Sequence, residues 1–264
     1  MFNIKPSKHL GQNFLIDRNI VKKVIKAANL KSTDIILEIG PGLGALTKEL
    51  VKKVKQVIAY EKDPRMCQTL KKSLKNYKNI EIVNGDVLKF EIIKLFKNLK
   101  LKIINYKVVS NLPFYITAPI IRKFLEAKNS PKEMVLLVQK EVAQRICARP
   151  PDMNLLAISV QFYAKPEIIS YVSKKSFWPI PKVDSAIIKI VPQKKYNVNK
   201  DLFFKIVKAG FSQPRKQLAN NLSKMLKLNK QEISSLLLKN NIKPTLRAEA
   251  LTIKDWILLT KVLK

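Results

Sequence analysis

At 264 residues the chain is long enough for one full α/β domain plus a small appendage. Its 51 Lys and Arg stand against 19 Asp and Glu, a net charge of +32 with a pI near 10.1. That charge points to a polyanionic partner, with part of the excess owed to a lysine-rich compositional bias. The two cysteines, Cys67 and Cys147, form no C-x-x-C or Cys/His cluster, so no metal is expected. With no signal-peptide core or membrane-length apolar run, a reducing cytoplasm is the expected location.

Near the start, Gln12-Asn13-Phe14-Leu15 precedes Asp17, which reads as the N-cap of a helix with Ile20, Val21, Val24, Ile25 and Ala28 on one face. From Ile35 to Gly44 the chain reads Ile-Ile-Leu-Glu-Ile-Gly-Pro-Gly-Leu-Gly. A short apolar run meeting alternate glycines implies a buried parallel strand that turns sharply into a helix, because glycine lets the backbone bend and approach a ligand. Two cofactor classes fit that turn. Gly40, Gly42 and Ala45 satisfy the dinucleotide pattern, and Gly40, Gly42 and Gly44 after Glu38 fit S-adenosylmethionine (SAM) equally well. A helix carrying Leu46, Leu50 and Val51 follows, then a strand over Gln56 to Tyr60 that ends in Glu61, placed to accept hydrogen bonds from ribose hydroxyls.

A helix from about Asp63 to Asn76 leads to a strand over Ile80 to Val83, closed by Asn84-Gly85-Asp86. Glu38, Glu61 and Asp86 are therefore expected on one edge of a parallel sheet, where the strand ends form the ligand crevice. Another strand, Val108 to Ser110, runs into Asn111-Leu112-Pro113-Phe114. Helix Thr117 to Leu125, strand Met134 to Val138 and helix Gln139 to Ala148 follow. Leu155 to Tyr163 fits helix or strand. Ile168 to Val172 and Ala186 to Val191 read as an antiparallel edge flanking Phe177-Trp178-Pro179-Ile180-Pro181. A polar, lysine-rich stretch from Gln193 to Asn199 reads as a linker. Four helices are expected beyond it, over Asp201 to Phe211, Arg215 to Met225, Lys230 to Leu238 and Thr252 to Leu263. The expected domains are 1–192 for the cofactor and 193–264 for a helical appendage.

The segment Asn111 to Phe114 chooses between the cofactors. A nucleobase amine is a poor nucleophile because its lone pair is delocalised into the ring. A site that methylates it should accept hydrogen bonds from both amino hydrogens and grip the ring face. The Asn111 side-chain oxygen and the Pro113 carbonyl can accept, and Phe114 can stack. A dehydrogenase has no use for this tetrapeptide.

With these motifs the chain resembles the KsgA-type ribosomal RNA adenine dimethyltransferases. The resemblance spans nearly its whole length, through Gln12 to Leu15, Glu38 to Gly44, Glu61, Gly85-Asp86, Asn111 to Phe114, Val138-Gln139-Lys140-Glu141, Phe177 to Ser185 and Phe211 to Lys216. It implies a Rossmann-like SAM-dependent methyltransferase sheet, mostly parallel with an antiparallel edge, plus a small α-helical C-terminal domain. The implied reaction dimethylates N6 of two adjacent adenosines near the 3′ end of small-subunit (16S) rRNA, within a pre-30S particle, by a monomer.

Residue by residue, the resemblance implies that Asn13 and Leu15 meet the methionine end of SAM and that the Gly40 to Gly42 turn approaches the cofactor. Glu61 would bind its ribose, Asp86 with Val87 its adenine, and Asn111 both the cofactor side and the target amine. Phe114 and Phe177 would sandwich the target base. Arg215, Lys216 and Arg247 are expected to hold RNA phosphate. Trp178 and Ile180 vary the Phe-x-Pro-x-Pro element, and Pro214 with Gln217 to Ala219 alters the basic segment. The alternatives are an Erm-type enzyme acting on large-subunit rRNA and a non-catalytic assembly factor.

Overall fold

The computed structural model describes residues 5–7, 9–89, 91–98, 105–193 and 196–263. Residues 194 and 195 of the expected linker lie outside these. The chain divides into two compact units, one of the residues up to Gln144 with Ala164–Pro192, the other of Arg145–Tyr163 with the residues from Gln193 on. Arg145–Tyr163, expected within the first domain, thus belongs with the C-terminal helices. The cause is packing of Phe162 on Phe203 and Phe204, at ring-centroid distances of 4.3 and 5.4 Å.

The first unit begins with β1 (Phe14–Leu15) and α1 (Arg18–Ala27). Asp17 caps α1 as expected, its carboxylate accepting from the Asn19 and Ile20 amides at 2.8 and 3.4 Å. Next come β2 (Ile35–Ile39), α2 (Thr47–Leu50), β3 (Gln56–Glu61), α3 (Pro64–Ser73), β4 (Ile80–Asn84) and α4 (Ile92–Asn98). They are followed by β5 (Tyr106–Asn111), α5 (Thr117–Glu126), β6 (Met134–Gln139) and α6 (Lys140–Ile146). Helix α7 (Leu155–Gln161) resolves the helix-or-strand alternative, with Asn154 capping it through the Ala157 amide at 3.0 Å. Then β7 (Ala164–Val172), β8 (Phe177–Trp178) and β9 (Ser185–Pro192) complete the sheets. Helix α4 and the β1–β8 pair were not legible in the sequence patterns.

Seven strands form one sheet in the order β4-β3-β2-β5-β6-β9-β7. The first five pair in parallel, β9 runs antiparallel to both β6 and β7, and the antiparallel edge is thereby as expected. Ile36, Val57, Val109, Val135 and Ile187 are fully buried, each contributing roughly 1.5–3 kcal/mol, and α1 covers that core with Val24. Because β3 and β4 lie on one side of β2 and β5 and β6 on the other, the strand order reverses at β2. A crevice opens there, outside the carboxyl ends of the strands.

The second unit holds α7, α8 (Lys200–Gly210), α9 (Leu218–Leu226), α10 (Lys230–Lys239) and α11 (Ile253–Val262). Helix α11 starts with a capping box between Thr252 and Asp255, and its Trp256 is fully buried against Gly210, which leaves no room for a side chain. Helix α9 begins three residues later than expected. The Asn221 amide donates to the Gly210 and Gln213 carbonyls at 2.7 and 2.9 Å, which satisfies the turn without helix. Among the described residues no helix is long and apolar enough to cross a membrane.

Candidate active site

The crevice is a cleft walled by the N-terminal segment, the glycine turn and the residues at and just past the ends of β3, β4 and β5. Its floor is the glycine turn. Gly40, Gly42 and Gly44 have φ of +64, +56 and +78°, and a Cβ on Gly42 would lie 2.9 Å from the Phe14 ring. The turn is tied to the end of β3, where Glu61 Oε2 accepts from the Gly42 amide at 3.1 Å and Oε1 from the Asp63 amide at 2.9 Å. Burial pushes the Glu61 carboxyl up, opposed by these amide hydrogen bonds. Beyond β4, Asp86 accepts from Lys62 Nζ at 3.0 Å, and that ion pair holds its carboxyl below the usual range.

The N-terminal segment straps the other wall. Gln12 donates to Asp63 Oδ2 at 2.9 Å, and Asn111 Nδ2, at the end of β5, donates to the Asn13 carbonyl at 3.1 Å. Beside Arg65, whose guanidinium is 2.7 Å away, the Asp63 carboxyl falls to about 2. With its amide nitrogen held, Asn111 presents Oδ1 as its remaining acceptor. The Pro113 carbonyl receives the Ile116 amide at 3.2 Å and keeps a second lone pair.

Glu38, in β2 beneath the glycine turn, is 1% exposed, and its Oε2 has no hydrogen-bond partner among the described residues. Burial, with the charge of Glu61 adding to it, raises its pKa to about 8. The unfolded chain would release this proton near the ordinary carboxylate value of 4.5, so the folded state binds more protons between about 4.5 and 8. Stability should therefore fall as pH rises through that window. Melting temperatures across pH 5 to 8 are expected to decline less steeply for Glu38→Gln than for the unaltered protein; parallel slopes would show that Glu38 is ionised throughout.

These features fit SAM. A buried carboxyl with one unpartnered oxygen lies at the turn, the glycine positions admit close approach, and acids lie at or near the ends of successive strands. Sequence comparison bears on the same point. The family model for ribosomal RNA adenine dimethylase matches residues 3–264. The chain belongs to that family. It is 45% identical over 258 residues to the ribosomal RNA small subunit methyltransferase A of Dehalococcoides mccartyi strain CBDB1, covering 97% of this chain and 87% of the relative. The dimethyladenosine transferase of Plasmodium falciparum superposes with a TM-score of 0.79 at 29% identity, covering 95% of this chain and 97% of that one. The 23S rRNA methyltransferase ErmE gives 0.77 at 25% identity, with 94% and 98% covered.

As a member of the ribosomal RNA adenine dimethylase family, the chain is a SAM-dependent rRNA adenine dimethyltransferase with the Rossmann-like fold. Asn13, Leu15, Gly40, Gly42, Glu61, Asp86, Val87, Asn111, Pro113 and Phe114 all line the one cleft. Phe177 does not, which corrects its expected pairing with Phe114. Strand alternation in β8, paired Leu15 to Phe177 and Phe14 to Trp178, sends Phe177 into the core at 1% exposure and turns Trp178 outward. Arg215 and Lys216 are exposed in the turn before α9, and Arg247 is exposed with Glu249 Oε1 3.7 Å from its guanidinium. Reasoning from sequence missed Lys62 and the Gln12 to Asp63 tie. Adjacency of Lys62 to Glu61 at a strand end was the available signal; Gln12 and Asp63 are 51 residues apart and gave none.

Proposed function

We propose that the protein dimethylates N6 of two adjacent adenosines near the 3′ end of small-subunit rRNA, acting as a cytoplasmic monomer on a pre-30S particle. The observation that carries the reading is Asn111, whose amide nitrogen is held by the Asn13 carbonyl in the same cleft that Pro113 and Phe114 line. Bound SAM supplies an electrophilic methyl group on a sulfonium. Asn111 Oδ1 and the Pro113 carbonyl accept from the N6 hydrogens, which concentrates electron density on the nitrogen, and Phe114 stacks on one face of the flipped base. Glu61, Asp86 and Val87 hold the cofactor's nucleoside, and Asn13 with Leu15 its amino-acid end. Arg215, Lys216 and Arg247 contact phosphate.

Incubation with methyl-labelled SAM and unmethylated small subunits, large subunits or naked rRNA, followed by nucleoside analysis, tests this. Dimethyladenosine is expected in small-subunit rRNA only. The second reading is an Erm-type enzyme acting on large-subunit rRNA, supported by the structural likeness to ErmE, and label in large-subunit rRNA would establish it. Tight subunit binding without label would leave a non-catalytic assembly factor.

A further inference from the structure

Three lysines converge on the first unit outside the cleft. Lys140, Lys174 and Lys182 line a shallow depression with Glu141 and Asp184, and among the described residues none of the three is ion-paired. Asp184 draws the segments together. Its Oδ1 accepts from the Lys174 amide at 3.0 Å and its carbonyl from the Lys140 amide at 2.9 Å. Glu141 and Asp184 offset part of this charge, and the three exposed, unpaired ammonium groups leave a net positive patch that suits a polyanion.

Exposed aromatic and apolar surface adjoins it. Tyr171 is 52% exposed with Lys140 Nζ 5.3 Å from its ring centroid, and Ile180 is 62% exposed. Trp178, 36% exposed, stacks on Phe14 at 6.1 Å and an interplanar angle of 24°. Phe14 lines the cleft wall but is buried at 6% exposure, so Trp178 stands one ring outside that wall, and the chain runs on from it through Pro179 to Lys182. Stacking surfaces beside clustered cations are how proteins track a single strand of nucleic acid.

We propose that the RNA strand flanking the target adenosine leaves the cleft over Trp178, which stacks a neighbouring base, and that Lys140, Lys174 and Lys182 hold its phosphates. This rests on the reading of the chain as an RNA adenine methyltransferase, and it adds an RNA contact on the first unit to those assigned to Arg215, Lys216 and Arg247. The long-range pull of a chain at +32 differs from it in one respect: only a local contact depends on where the charge is removed.

The test compares Lys140→Gln/Lys174→Gln/Lys182→Gln with a charge-matched triple, Lys22→Gln/Lys26→Gln/Lys53→Gln. The control lysines are exposed along α1 and after α2, around another depression. Binding of unmethylated small subunits is measured across a salt series, with SAM affinity and melting temperature alongside. For the first triple, the slope of log affinity against log salt should shrink by about two, since each phosphate contact on single-stranded RNA contributes ~0.7. KM for the particle should rise ~10-fold with SAM affinity unchanged, and the control triple should keep the slope. Equal loss in both triples, or an unchanged slope in the first, would overturn the proposal. Trp178→Leu should raise KM for the particle and leave SAM affinity within about twofold; an unchanged KM would remove Trp178 from the path. If the unaltered protein neither binds nor methylates subunits, the functional reading itself fails, a result distinct from all of these.

Discussion

Replacing Asn111 with alanine is expected to lower kcat for adenine methylation by about 10²–10³-fold, the range seen when one preorganised polar contact to the reacting group is removed. The reasoning is chemical. The amine of adenine becomes nucleophilic as its hydrogens are held by acceptors, and Asn111 Oδ1 is one of two placed at the end of β5. Its grip on the Asn13 carbonyl at 3.1 Å fixes the side chain before substrate arrives, so the acceptor needs no reorganisation. The affinity for RNA should change little, because stacking on Phe114 and phosphate contacts are untouched. Single-turnover methylation and particle binding, measured on the same preparation, separate the two. Loss of binding equal to the loss in rate would show that Asn111 positions the RNA and does not act on the amine. The strap loses one tie in this variant, so SAM affinity is measured too, and a modest weakening there is compatible with the assignment.

The cofactor half of this site was legible in the sequence for a physical reason. Glu61 and Asp86 sit at or just past the ends of strands that apolar runs announce, and in a parallel sheet those ends share one edge whatever the loops do. Asp17 was equally plain, since an N-cap is a local matter. Phe177 and Trp178 were not. A two-residue strand has no period from which to tell its inward side chain from its outward one, and only pairing with Phe14 and Leu15, over 160 residues away, decides it. Arg145–Tyr163 was assigned to the wrong unit because Phe162, which carries it, meets Phe203 and Phe204 only in the folded chain.

Lys107 shows the same limit in energetic terms and carries the second large effect. In sequence it is one lysine among many, yet it is 7% exposed at the start of β5. Its Nζ lies 3.0 Å from both Asp34 and Glu133 and donates to the Ala28 and Asn29 carbonyls, at 3.0 and 2.9 Å, where α1 ends. Lys107→Ala leaves Asp34 buried without its cation and strips two carbonyls of their donor, so a loss of about 3–5 kcal/mol is expected. For a chain of this size that is a fall of roughly 6–20 °C in melting temperature. Glu133 keeps Lys189 at 2.8 Å, which makes Asp34 the group that suffers. Lys107→Met with Asp34→Asn should therefore recover much of the loss, because removing both members of a buried pair is often close to neutral. A fall of less than about 1 kcal/mol in Lys107→Ala, or no recovery in the double variant, would mean that water already serves these groups. Lys107 and Asn111 lie on one strand, four residues or about 13 Å apart. Well below the melting point, kcat should survive the loss of the first and not the loss of the second.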